Sequence, residues 1–307
     1  MGNKLSSNRN LQDIYTINKQ LSENVSYRSE DSQTETLAQT LTFITDTAQQ
    51  DEERMNTHHF ALKEMFGSNF LKTIEGDVDF NSSSTKTLDI GCGAGTWLMD
   101  MATEFPTAKF VGIDKEALFP QIIRPANVEF YEGDVRNGLP FEDNYFDLVQ
   151  IRLFLLAFDM SDWEGCLKEV YRVLKPGGYI QWTEPKLMDR GDEVVTEFSS
   201  RVHDMLVSRN QDPEIIEHQV DMLKQHGFVP KEKITKAIPL SNHPLSKEFM
   251  FIINISLDYC KPIIVEMYKH TSDEQFLKFK KSILVHRQRS SEATWSCVVG
   301  QKPTELS

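Results

Sequence analysis

The chain has 307 residues, 39% of them apolar, enough for one large α/β domain or two small ones with an ordinary core. Its formal charge of -13 argues against a surface built to track nucleic acid, because phosphate binding needs clustered Lys and Arg. Cys92, Cys166, Cys260 and Cys297 are dispersed with no C-x-x-C pair, which excludes the usual zinc and disulfide spacings and points to a reducing, intracellular compartment.

The start, MGNKLSS, fits the N-myristoylation pattern, with Gly2 as acceptor and Ser6 in the required place. One acyl chain would give only weak membrane association, and Lys4, Arg9 and Lys19 are too scattered to add a second signal. A disordered tail that happens to begin with Gly explains the same residues. The expected location is cytoplasmic, with nuclear or peripheral membrane placement left open.

Residues 1–35 are polar and aperiodic and read as a disordered tail. Residues 36–85 read as an N-terminal helical cap, in which ERMNTHHFALKEMFGSNFL predicts an amphipathic helix ending near Gly67. Residues 86–303 read as the main domain. Candidate strands there are TLDI (87–90), KFVGID (109–114), NVEFYEG (127–133), FDLVQIR (146–152) and GYIQWTE (178–184). Helical segments such as TWLMDMATEF and DWEGCLKEVYRVL alternate with them, the pattern of a parallel sheet covered on both faces. KPGG is expected to stop the second of these helices and reverse the chain. Two further helices (about 191–208 and 213–226), a strand in FVPKEKITKAIPL, a helical lid insertion at 246–288 and a last strand in ATWSCVVGQKP complete the chain. The longest apolar run, Phe249 to Leu257, is too short to span a membrane as a helix.

The loop after the first strand, DIGCGAG, carries the chemistry. A Walker A loop needs a Lys after its last glycine, and none follows Gly95. A dinucleotide fingerprint counted from Gly91 needs Gly or Ala at position 96, where Thr96 stands. The pattern D-x-G-x-G-x-G does fit, through Asp89, Gly91, Gly93 and Gly95. A carboxylate at the mouth of the loop repels a pyrophosphate and attracts ammonium and sulfonium charge, which points to S-adenosylmethionine. Asp114, ending the second strand, is placed to accept from ribose hydroxyls. Asp134 is placed to accept from an adenine amino group, beside the backbone N–H of Val135. Each has a plainer explanation alone: a common glycine turn, a solvated loop acid, an Asp134–Arg136 pair. In strand order they make one crevice.

LDIGCGAGTW, FVGID, EGDV, LPFEDNYFDLV and RVLKPGGYI resemble, in order, the motifs of class I S-adenosylmethionine-dependent methyltransferases. ERMNTHHFALKEMFGSNF, ATEFPTAKFVGID and VVGQKP are similar to fungal members related to regulators of secondary metabolism. The resemblance implies an α/β, Rossmann-like class I methyltransferase fold: a seven-stranded, mostly parallel sheet with the last strand antiparallel and helices on both faces. It implies S-adenosylmethionine as cofactor and no metal. Asp89, Gly91, Cys92, Gly93 and Gly95 would face the methionine part, Asp114 with Lys115 the ribose, Asp134 and Val135 the adenine. Gln150, Ile151 and Arg152 would border the methyl group. Cys92 is expected to be a small packed residue and not a nucleophile.

Methyl transfer from a sulfonium is an in-line displacement, so alignment alone supplies roughly 7–11 kcal/mol of barrier reduction. A general base is optional and would add about 10²- to 10⁴-fold. Candidates are Glu184, His203, Tyr131, His58 and His59, each of which also reads as a core, solvated or covering residue. Arg152 suits an acceptor that carries a carboxylate. Phe249, Phe251, Ile252, Ile255 and Tyr259 suggest a partly apolar small-molecule acceptor or a protein partner, or else core or dimer packing. The expected activity is methyl transfer to a small-molecule or protein acceptor; the alternative is a regulatory protein that binds the cofactor without turnover.

Overall fold

The computed structural model describes residues 50–187 and 191–304. Gly2 and the expected tail lie outside the described residues. Helix α1 covers 50–66 and α2 Lys72–Glu75. The sheet domain follows as β1 (Lys86–Ile90), α3 (Thr96–Glu104), β2 (Lys109–Asp114), β3 (Val128–Glu132), β4 (Phe146–Arg152), α4 (Met160–Val173) and β5 (Leu174–Pro185). It closes with α5 (Glu193–Ser208), α6 (Ile215–Gln225), β6 (Val229–Pro239), α7 (Ser246–Tyr259), α8 (Lys261–Tyr268), α9 (Asp273–Ser290) and β7 (Glu292–Gln301).

The seven strands form one sheet in the order β3-β2-β1-β4-β5-β7-β6. Strands β1 to β5 pair in parallel, and β7 slots between β5 and β6 antiparallel to both, as the resemblance implied. Because β6 therefore runs with β5, the α7–α9 excursion leaves the sheet at its carboxyl end. In an open α/β sheet that is the ligand end.

Strand alternation sorts the core. Leu88, Ile90, Val149, Ile151, Ile180, Trp182 and Val298 pack on one face, where Trp182 meets Trp163 of α4 at a ring separation of 4.4 Å. Removing a buried aromatic of this kind costs about 3–5 kcal/mol. The opposite face packs Phe110, Leu148, Tyr179 and Val299 against Trp97, Leu98 and Met101 of α3.

Two boundaries differ from expectation. Helix α4 starts at Met160 because Asp159 caps it, accepting from Ser161 and Asp162 N–H in a capping box. KPGG does not separate helix from strand: Leu174 already pairs with Phe146, and the glycines form an irregularity inside β5 before Tyr179 pairs with Leu148. The expected lid segment is part core. Phe249 and Ile252 pack with Ala61, Leu62 and Met65 of α1 and Trp295 of β7, whereas Tyr259 is exposed.

Candidate active site

The glycine loop is shaped by close approach. A β-carbon at Gly91 would lie 2.4 Å from the Phe154 ring, and one at Gly95 would lie 2.5 Å from the Phe130 ring, with both residues at positive φ. Phe130 cannot easily retreat, because it stacks on Phe119 at 4.7 Å between ring centres. Gly91 and Cys92 N–H groups donate to the Ile113 carbonyl, which ties the loop to β2. Helix α3 begins directly after Gly95 with no side-chain cap, so its N-terminal N–H groups face the loop without a competing side-chain acceptor.

The three acids stand at the ends of neighbouring strands. Asp89 is 2% exposed and its Oδ2 has no hydrogen-bond partner. Burial pushes its carboxyl up to about 7, against the pull of the Arg152 charge. Asp114 Oδ2 accepts from Gly93 N–H at 2.8 Å and Oδ1 from Glu116 N–H at 3.0 Å. Since a carboxylate offers about four acceptor positions, about two remain for a ligand. Asp134 accepts from the Arg136 backbone N–H and from its Nε and Nη2, the plainer of the two roles foreseen for it, which leaves about one of its acceptor positions for a ligand. Val135 is buried beside it, and Lys115 is exposed near Glu116. Cys92 is buried, and burial holds its thiol far above the ordinary range, which suits packing and not nucleophilic attack.

A narrow cavity opens between α1, the loop at 68–71 and the β4, β5 and β7 edge, lined by His59, Asn69, Gln150, Arg152, Gln181 and Thr183, among others. The register explains this lining. Asp89 pairs across with Gln150 and Gln150 with Gln181; Arg152 pairs with Thr183. Cross-strand partners share a face, so a polar row runs from Asp89 across the sheet beneath α1. Gln181 fastens the 68–71 loop onto this row, donating to Gln150 Oε1 and Asn69 O and accepting from Leu71 N–H. Ile151 and Glu184, one residue along from Gln150 and Thr183, point to the other face. Ile151 is wholly inside the core there, so only its backbone can border the crevice.

Glu184 is fully buried and accepts from the N–H groups of Phe154 and Leu155 and from the Trp182 indole. Burial raises its carboxyl to about 7 despite these donors. The arrangement buckles the loop after β4 to β5, and Glu184 does not line the cavity. His203, on α5, is partly exposed beside Asp204 and does not line it either. Tyr131 is 40% exposed and donates to Glu129, so it is neither core nor cavity lining. His58 is buried edge-on to Trp295, and burial with the Arg54 and Arg152 charges holds it neutral, at about 3.

His59 does face the cavity. Its Nε2 lies 3.0 Å from Asp100 Oδ2, which also accepts from Lys63 and Asn69. Burial pushes the Asp100 carboxyl up, but those three bonds outweigh it and hold it below the ordinary range. Burial and the Arg152 charge lower His59 to about 4, so the ring is neutral and donates from Nε2. Its Nδ1 is left to accept from Arg152 at 3.4 Å. Residue types alone gave no sign of Asp100, Asn69 or Gln181, whereas the resemblance had already placed Gln150 beside the methyl group. Asn56, whose Oδ1 accepts from Thr96 at the start of α3, and Met55, whose sulfur lies over Gly93, were equally hidden. Their one signal was the stretch ERMNTHHFALKEMFGSNF, which contains both and is similar to the fungal members.

Residues 87–178 match the family described as "Methyltransferase domain". N-methyltransferase verN of Clonostachys rogersoniana is 33% identical over 148 residues, 47% of this chain and 50% of that protein. The secondary metabolism regulator laeA of Coprinopsis cinerea is 28% identical over 137 residues, 44% of this chain and 34% of that protein. The chain thus spans half or less of the length of these two curated relatives. Among solved structures, Haemonchus contortus phosphoethanolamine N-methyltransferase 2 in complex with S-adenosyl-L-methionine overlays with a TM-score of 0.46 at 20% identity, over 81% of this chain and 57% of that one. The family match runs from the second residue of the glycine-loop strand through both acidic strand ends and past the β4 edge of the cavity, so this stretch, residues 87–178, is similar to methyltransferase domains.

Proposed function

We propose that this chain moves a methyl group from S-adenosylmethionine to a small-molecule acceptor admitted between α1 and the β4–β5 edge. One observation carries the reading: Asp114 grips the glycine loop at Gly93 while Asp89 waits beneath it, buried and with an unpartnered oxygen. A buried carboxyl without a partner is costly unless a ligand completes it. The residues fit the cofactor. The loop and the uncapped start of α3 would hold the methionine carboxylate, Asp89 its cationic centres, Asp114 the ribose, and Asp134 with Val135 the adenine. When bound, S-adenosylmethionine supplies an electrophilic methyl group. The chain's own work is orientation and exclusion of water. Phe154 and Phe130 fix the loop, and α1 closes over it through Asn56 and Met55.

Calorimetry with S-adenosylmethionine and S-adenosylhomocysteine should give micromolar binding, and no heat with either would sink the reading. Transfer of labelled methyl into the small-molecule fraction of a cell extract tests turnover. Binding without any labelled product would favour the regulatory alternative, to which the relative named as a regulator gives weak support.

Asp89 sets a pH dependence. With its carboxyl at about 7 in the free protein, the charged form that attracts a cation is lost as pH falls through that value. Affinity for S-adenosylmethionine should weaken by about tenfold from about pH 8 to about pH 6. Asp89→Asn should bind more weakly at the upper pH and show a flatter profile; an equally steep profile in the variant would assign the titration elsewhere.

A further inference from the structure

Arg152 is placed unlike an ordinary structural arginine. It is half-buried, it lines the cavity, and among the described residues no carboxylate oxygen lies within salt-bridge distance of it. Its hydrogen-bond partner is the Nδ1 of neutral His59, at 3.4 Å. The nearby charges do not neutralise it. Asp100 is shared by Lys63, Asn69 and His59, and Arg54 on α1 is paired with Asp51. Asp89 is the acid whose charge Arg152 feels, and it lies beyond direct contact. A guanidinium held in a cavity by a neutral acceptor keeps its full charge and most of its planar fork of donors. Desolvation penalises such a group, and an entering anion relieves the penalty.

We propose that Arg152 is the docking point for a carboxylate borne by the methyl acceptor, and that His59, oriented by Asp100, is the positioning residue that aims the guanidinium into the cavity. The inference rests on the methyl-transfer reading and narrows its substrate class to small organic acids methylated at an atom other than the docked carboxylate. The planar carboxylate matches the Arg fork in two parallel bonds, which a tetrahedral phosphate also allows but a neutral amide does not. Arg152 stands at the carboxyl end of β4, on the polar face that Asp89 and Gln150 share, so a docked acid lies beside the crevice mouth.

The test uses the full chain, with and without saturating S-adenosylhomocysteine, titrated with acetate, benzoate, inorganic phosphate and benzamide. Benzoate is expected to bind and benzamide not. Arg152→Gln should weaken benzoate by at least about tenfold while retaining S-adenosylhomocysteine, which shows that the variant is folded. His59→Gln keeps a neutral acceptor and should stay within about threefold of wild type, whereas His59→Leu should lose about tenfold. Equal benzoate binding by Arg152→Gln, benzamide binding as well as benzoate, or binding of no carboxylate overturns the proposal. Tighter binding of phosphate than of either carboxylate overturns the substrate class. Failure of wild type to bind S-adenosylhomocysteine would instead undo the methyl-transfer reading, and the cofactor-free titrations still judge Arg152.

Discussion

Asp114→Ala is expected to weaken S-adenosylhomocysteine binding by about a hundredfold, the largest loss of affinity from any single change in the crevice. The carboxylate has two tasks. It accepts from Gly93 and Glu116 N–H groups, so it fixes the loop. Its remaining lone pairs would receive the ribose hydroxyls, and hydrogen bonds to a charged acceptor are worth about 1.5–3 kcal/mol each. Losing loop anchorage and ribose together removes about 3 kcal/mol or more from binding, which is the hundredfold. Asp114→Asn separates the two, because an amide oxygen can keep the Gly93 contact while offering the ribose less. It should therefore bind between wild type and Ala. Calorimetry measures all three, and an unchanged dissociation constant for the Ala variant would refute the ribose assignment.

Glu184→Ala is expected to cost the fold about 3–5 kcal/mol, because it leaves three buried donors without an acceptor and opens a cavity among aromatic rings. The donors are the Phe154 and Leu155 N–H groups and the Trp182 indole, and among the described residues no other side chain accepts from them. The thermal midpoint should fall by about 10 °C for a domain of this size. The carboxyl also shapes stability against pH. Its value in the folded chain is about 7, above the ordinary 4.5, so the native state holds a proton that the unfolded chain has released. The stability it contributes is therefore complete below 4.5 and is lost as pH rises towards 7. Asp89, raised from 3.8 to about 7, adds to the same slope. Glu184→Gln should flatten part of that slope while Asp89 keeps the rest. Denaturant unfolding across this range checks both claims, and a Glu184→Ala loss below about 1 kcal/mol would show that the buckle is not structural.

The same residue shows how far a sequence can be read. Glu184 sits at a strand end, where catalytic acids are sought, and its residue type could not separate a base from a buckle. The decision came from the pleat. Thr183 faces the cavity, so Glu184 must face the α4 side, and the loop folded over it supplies three donors. Arg152 is the opposite case: its type suggested an anion contact, and pairing with Thr183 put it on the cavity face.

The chain by itself determined the alternation of strands and helices, the glycine loop and the acids at three successive strand ends. Those features depend on local periodicity and on residue types that few alternatives replace, so they survive without knowledge of neighbours. Only the tertiary structure decided how the cavity is walled. The contact from Asp100 to His59 spans 41 positions and that from His59 to Arg152 spans 93. Neither has a local pattern, and both exist because α1 packs across the carboxyl end of the sheet. That packing brings a neutral imidazole to a half-buried guanidinium, where side chains far apart in the chain share one partly desolvated space.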